Sequence, residues 1–307
     1  MISLVVPTRN RAHTLRIVAP SYFAQADVDE IVFVSDAGDD DTEAVLRAVA
    51  RAHPAVRMQF LRNARRLGAS QSRNIGVQAC SNDFVLFCDD DEFLEAGYAR
   101  TCLAKLLALG AGAVSGRRVY MEVGETTADA LRRFGTGLRN AVPFRPVLCE
   151  YVNGARFLGD RQQPITNAII LTRRSLLLQY PFDAAYARGN GYREESDYQM
   201  NLFVHGHAIW VTNDCHSLHL PLSQVRTGGQ RTQTWRRLVW SVHYTRYFYG
   251  KYYAAYAARL GLRTPRWLAL AAFTGFSVYR ELLRPPLHAL AMALLRRRAR
   301  LAAAATR

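Results

Sequence analysis

Residues 83–93 read DFVLFCDDDEF, an apolar run that stops against four consecutive acids. A short, continuous apolar run of this kind reads as a strand buried on both faces. Working outward, Ile2–Val6 (ISLVV) is a second such run, ended by Pro7, and Glu30–Ser35 (EIVFVS) a third, ended by the acidic loop DAGDDDT. VRMQFLR (56–62) and AVSGRRVYM (113–121) complete five expected strands. Helices are expected between them over 14–25, where Pro20 is out of place, and over 42–52, 68–80 and 94–110. The alternation predicts an α/β fold with a mostly parallel sheet flanked by helices. Ligands of such sheets bind beyond the carboxyl ends of the strands, here Pro7-Thr8-Arg9-Asn10, Asp36 and Asp89–Glu92.

The second half is less regular. Residues 122–165 read as loops and short elements, 167–178 as a strand turning into a helix, 193–207 as a helix and 208–213 as a strand. Residues 216–231 read as a loop with a glycine pair, Gly228-Gly229.

Of 307 residues, 50% are hydrophobic and 21% charged, which excludes a disordered or low-complexity chain. No apolar run reaches ~20 residues, so no membrane span is expected. The start, MISLVVPTRNR, has no basic region ahead of its apolar stretch and is too short for a secretory signal. Five cysteines without a CxxC spacing argue against a disulfide framework or zinc site and fit a reducing cytosol.

The net charge of +15 is unevenly placed. Residues 1–225 hold 24 basic and 24 acidic residues, whereas 226–307 hold 16 basic residues and one acid, Glu281. The chain therefore divides into a neutral part, 1–230 (with halves 1–121 and 122–230), and a basic aromatic helical extension, 231–307. In WRRLVWSVHYTRYFYGKYYAAYAARL (235–260), aromatic rings interleave with arginine and lysine. That composition suits helices lying on an anionic membrane, then a cap folded on the main domain, and least well a single-stranded nucleic acid.

Four constellations carry chemistry. The acids Asp89–Glu92 repel one another and need compensation, which a divalent cation supplies; the plainer reading is a helix-capping turn. In an extended segment Asp89 and Asp91 share a face. Asp36 can accept hydrogen bonds from a ribose or base, while Asp40 and Asp41 read as caps for the helix at 42. In Arg193-Glu194-Glu195-Ser196-Asp197, a carboxylate can serve as general base or merely cap a helix. His216 or His219 can ligate a metal, though a lone histidine is more often structural, and Gly228-Gly229 suits a loop that closes over phosphates.

The ordered series PTRNR, EIVFVSDAGDDDT, RNIG, DFVLFCDDDEF, REESDY and H…GG resembles a family 2 glycosyltransferase of the GT-A fold. The resemblance covers about residues 1–230. It implies an inverting, metal-dependent enzyme that moves a sugar from a nucleotide-diphosphate donor to an acceptor hydroxyl of a glycolipid or cell-envelope polysaccharide precursor. It places Pro7, Thr8, Arg9 and Asp36 at the nucleoside, although the usual Asp-Asp-Gly here reads Ser35-Asp36-Ala37. It puts Arg73, Asn74, Asp89 and Asp90 at the nucleotide sugar. Mg²⁺ or Mn²⁺ would sit on Asp89, Asp91 and His219. Glu195 would be the base, with Glu194 the next candidate, and Gly228-Gly229 part of a mobile acceptor loop. The expected partners are the donor, a carbohydrate or lipid-linked acceptor and an anionic surface at the inner face of the cytoplasmic membrane. A nucleotidyltransferase would show a Gly-rich basic loop after the first strand, which PTRNR is not. A membrane- or nucleic-acid-binding protein without activity is the third reading.

Overall fold

The computed structural model describes residues 1–135, 137, 139–225 and 233–287. Strands β1 (Ile2–Thr8), β2 (Val28–Ser35), β3 (Arg57–Arg62) and β4 (Phe84–Phe87) form the parallel half of one sheet, in the order β3-β2-β1-β4. Side chains alternate between two cores. Val5, Val32 and Phe87 join one, and Leu4, Phe33 and Leu86 the other. Both faces are covered, which explains the continuous apolar runs. Pro7 is tolerated in a central strand because β4 has already ended. Val5 O accepts from Cys88 N, so residue 7 faces that same side, where no ladder partner follows.

Helices α1 (Ala12–Phe23), α2 (Thr42–Arg51), α3 (Ala69–Ala79) and α4 (Tyr98–Ala108) connect and flank these strands. Helix α4 starts later than the expected 94, because a short strand β5 (Glu92–Leu94) and Gly97 at φ 80° come first. The small face of α3 has a steric cause: a Cβ on Gly76 would lie 2.5 Å from Val5 Cγ1 and 3.3 Å from a Val34 methyl. Gly76→Ala is therefore expected to destabilise the chain by about 1–3 kcal/mol. An unchanged urea midpoint would show that α3 can move off the sheet.

The sheet continues through β6 (Ala113–Tyr120), β10 (Ile170–Arg173) and β11 (Ile209–His219), in the order β4-β10-β6-β11-β5. Strand β10 is antiparallel to both neighbours, and β6 runs parallel to β11. Between them in sequence lie α5 (Thr127–Gly135), β7 (Phe144–Arg145), β8 (Glu150–Tyr151), β9 (Arg161–Gln162), α6 (Arg174–Gln179) and α7 (Glu194–Val204). Strand β11 corrects the expected loop: it runs on through His216 to His219, past a register irregularity between Thr212 and His216. Its pairing with β5 sets His219 opposite Glu92.

The basic extension begins with α8 (Thr234–Leu260) and α9 (Arg266–Val278), followed by a wider π-type turn over Tyr279–Leu283. Its expected placement at headgroup depth is corrected for most of its rings. Tyr244, Phe248, Tyr252 and Tyr256 recur every fourth residue and are buried, as are Tyr249 and Tyr253. Five of these six rings share the core of Val5 and Phe87. Three of the hydroxyls donate to backbone oxygens of the main body, Tyr249 to Leu148 (2.7 Å), Tyr256 to Pro146 (2.6 Å) and Tyr244 to Arg188 (2.6 Å). The boundary near 230 is thus one of charge and not of packing. No helix among the described residues is long and apolar enough to cross a membrane.

Candidate active site

Three arginines hold the acids at the carboxyl end of the sheet. Arg73, on the face of α3 turned to the crevice, is the hub. Its Nη2 lies 3.1 Å from Asp89 and 3.0 Å from Glu195, and its Nη1 pairs with Glu194. Arg118, near the end of β6, pairs with Asp89 at 2.9 Å and with Glu92. Arg11 Nε lies 3.4 Å from Asp90. Asp89 and Glu195, 106 positions apart in the sequence, therefore meet on one guanidinium nitrogen.

The carboxylates differ in state. Burial pushes the Asp89 carboxyl up, but Arg118 and Arg73 more than reverse this, and it lies below the ordinary value. Asp90 is pushed up to about 7 by burial, against the pull of Arg11 and with Asp91 adding to the rise. Glu194 is buried and also accepts from Ser70 Oγ at 3.0 Å. The Glu195 side chain is 29% exposed, so of the two it is the one a ligand can reach.

The donors suit a divalent cation. Asp91 Oδ1 and His219 Nε2 are 3.7 Å apart. His219 Nδ1 donates to the Leu220 carbonyl (2.6 Å), leaving the lone pair of a neutral ring on Nε2. Burial lowers the histidine's pKa, against the pull of Asp91, and favours that neutral form. Among the described residues, the carboxylates of Asp89, Asp90, Glu92, Glu194 and Glu195 pair with the guanidinium groups of Arg11, Arg73 and Arg118, and Asp91 lies in the field of Arg118. No group of three or more His, Cys, Asp or Glu among the described residues is arranged to hold a metal alone. One or two protein donors completed by substrate phosphates is the usual arrangement for Mg²⁺. Asp89, expected as a metal ligand, is paired with Arg73 and Arg118.

Other expected residues have visible partners. Pro7 and Thr8 end β1 at the crevice, and Arg9 follows them, exposed. Asp36 accepts from Asn63 Nδ2 (3.0 Å), Leu67 N (2.6 Å) and Gly68 N (3.0 Å), so it fixes the loop entering α3. Asn74 does not reach toward the acids. Its amide is taken up by the backbone N–H and carbonyl of Phe182, both at 2.9 Å. Asp40, not Asp41, accepts from Thr42 N (3.1 Å), and it also takes Ala12 N (2.9 Å), tying two helix starts together. His216 bonds Glu95 (2.7 Å) and Arg117 (3.2 Å) and holds β11 against its neighbours. Gly228 and Gly229 lie outside the described residues.

Arg11 and Arg118 are functional candidates that sequence reasoning missed. The four adjacent acids implied cationic partners, and both arginines lie at or just past the carboxyl end of an expected strand. Arg193 was also missed. It opens α7 at φ 78°, with its buried guanidinium donating to Cys149 O and Leu148 O (3.1 Å) and lying 5.1 Å from the rings of Phe248 and Phe273. It thereby fixes the start of the helix that carries Glu194 and Glu195.

Residues 3–183, well over half the chain, match the sequence family described as "Glycosyl transferase family 2". The chain belongs to that family. Among curated relatives, a GalNAc(5)-diNAcBac-PP-undecaprenol beta-1,3-glucosyltransferase of Campylobacter jejuni is 31% identical over 105 residues, 34% of each chain. An uncharacterized glycosyltransferase of Bacillus subtilis, YwdF, is 33% identical over 98 residues, 32% of this chain and 35% of its own. These alignments span about a third of the relatives' length. Solved structures share the GT-A fold. The mannosyltransferase PcManGT from Pyrobaculum calidifontis, in complex with GDP-Man and Mn²⁺, superposes with a TM-score of 0.58 at 17% identity, over 95% of this chain and 79% of that one. S. aureus TarS 1-349 with UDP-GlcNAc gives 0.57 at 14%, over 91% and 72%.

Proposed function

We propose that this family 2 chain is an inverting glycosyltransferase that moves a sugar from a nucleotide-diphosphate donor to a hydroxyl of a lipid-linked acceptor, at the inner face of the cytoplasmic membrane. The observation that carries this reading is the shared nitrogen of Arg73. It puts an acid from the donor half, Asp89, beside a reachable carboxylate from the acceptor half, Glu195. The named lipid-linked substrate of the Campylobacter jejuni relative supports the acceptor class. The donors in the two solved complexes support a UDP or GDP sugar.

In this reading Pro7, Thr8, Arg9 and Asp36 border the nucleoside. Asp91 and His219 would hold Mg²⁺ or Mn²⁺, which when bound neutralises negative charge on the leaving diphosphate. Arg73 and Arg118 keep Asp89 ionised and fixed. The Glu195 carboxylate takes the proton of the acceptor hydroxyl as that oxygen attacks the anomeric carbon from the face opposite the leaving group. Binding both partners in one crevice makes the encounter effectively unimolecular.

With a panel of sugar nucleotides and Mn²⁺, the chain is expected to release a nucleoside diphosphate, and EDTA to abolish that release. Release of pyrophosphate instead would mean nucleotidyl transfer. No release from any donor would remove the enzymatic reading.

A further inference from the structure

We infer that the outer face of α8, with the start of α9, docks on an anionic bilayer and seats a phospholipid phosphate between Arg246 and Arg266. This rests on the lipid-linked acceptor reading and gives it a surface. Trp235, Val239, His243, Arg246 and Gly250 are spaced by three or four residues, so they form one stripe along α8. All five are exposed, Trp235 by 65%. The stripe ends where α9 begins to cover α8: Tyr253 is buried and its hydroxyl donates to Thr264 O at 3.0 Å.

At that junction lies a hollow of about 250 Å³, bordered by Arg246, Gly250, Arg266, Trp267 and Leu270. Trp267 is 70% exposed and Leu268 44%. Neither arginine has a carboxylate partner among the described residues, and the only acid after residue 225, Glu281, is taken by Arg237 and Arg280. Two guanidinium groups without an internal counter-charge fit a phosphate, which each can bind through two N–H groups. An exposed indole beside them fits the apolar edge of a headgroup layer. Soluble anions would use the arginines but have no need of Trp267, so the combination favours a bilayer.

The other end of the stripe supplies the link to the chemistry. There Val239, Trp240 and His243 face Ala184, Ala187 and Arg188 across a hollow of about 550 Å³. That segment leads directly into Glu194 and Glu195. A bilayer on the stripe would therefore lie against the acceptor side of the crevice.

The test is co-sedimentation of the full chain with vesicles of equal phosphatidylglycerol and phosphatidylcholine, against phosphatidylcholine alone, at physiological salt. Binding is expected only with the anionic lipid. The double variant Arg246→Glu/Arg266→Glu is expected to weaken it at least tenfold and Trp267→Ala several-fold. UDP affinity by calorimetry, as a check of folding, stays at the wild-type value. The proposal is overturned if the wild type stays in the supernatant, or if the double variant sediments like it, which would place binding elsewhere in the basic extension. It is also overturned if glycerol phosphate displaces the vesicles at millimolar concentration. Trp267→Ala changing the solution mass but not sedimentation would make the face a contact between copies, and would equally overturn it. Vesicle failure with intact nucleotide release would defeat only the docking; the reverse would defeat the enzymatic reading.

Discussion

Glu195→Gln is expected to lower sugar transfer by about 10²–10⁴-fold, the range a general base contributes, with donor affinity unchanged. The amide keeps the shape of the side chain and can still accept the hydrogen bond from Arg73 Nη2, 3.0 Å away in the wild type. It cannot take a proton from an incoming hydroxyl. Donor binding, read by calorimetry, should survive because the proposed donor site, with its cation on Asp91 and His219, does not depend on the charge of Glu195. Glu194→Gln is a control with a different signature. Glu194 is buried between Arg73 and Ser70, so its loss should act mainly on stability and positioning. A near-normal rate for Glu195→Gln with a large loss for Glu194→Gln would transfer the base role to Glu194.

Arg73→Met is expected to cost about 3–5 kcal/mol of stability, as breaking a buried ion pair does, and to abolish measurable donor binding. One guanidinium serves Asp89, Glu194 and Glu195, and methionine fills the space while leaving all three without that charge. Their mutual repulsion then opens the crevice. The pH dependence gives a second readout. Asp89 is held below its ordinary value, so its contribution to stability is complete above that value and is lost as pH falls through the lowered one. Without Arg73 that acid limb should shrink. A variant with wild-type stability and donor affinity would show that Arg73 is not the hub.

The parallel half of the sheet was legible because strands buried on both faces read as unbroken apolar runs, as in Leu4–Val6 and Val85–Phe87. The acids were legible as a site because four in succession after a buried strand repel one another and need compensation, and the ordered series of motifs set that reading above a helix-capping turn. The compensating Arg11 and Arg118 were not, because arginine is common throughout this chain and only the tertiary fold brings those two to the acids. Strand β11 was cut short in the sequence reading because the irregularity after Thr212 breaks its alternation. The extension was read as helical, with its rings assigned first to a membrane surface and second to a cap on the main domain. An apolar ring with a polar tip suits a bilayer interface and a protein core equally, and the four-residue recurrence of Tyr244, Phe248, Tyr252 and Tyr256 decides for the core. What remains outside is a narrower stripe than composition implied. The work of Asp36 and Asn74 was hidden for a similar reason, since their partners at Gly68 and Phe182 are set by loop conformation.

The configuration of the first product tests the central claim most directly. With an α-linked UDP or GDP sugar and Mn²⁺, proton NMR during the first turnovers should show a β-configured product and free nucleoside diphosphate. An α-configured first product would contradict a single displacement assisted by Glu195, and with it the assignment of the Arg73-centred crevice as an inverting site.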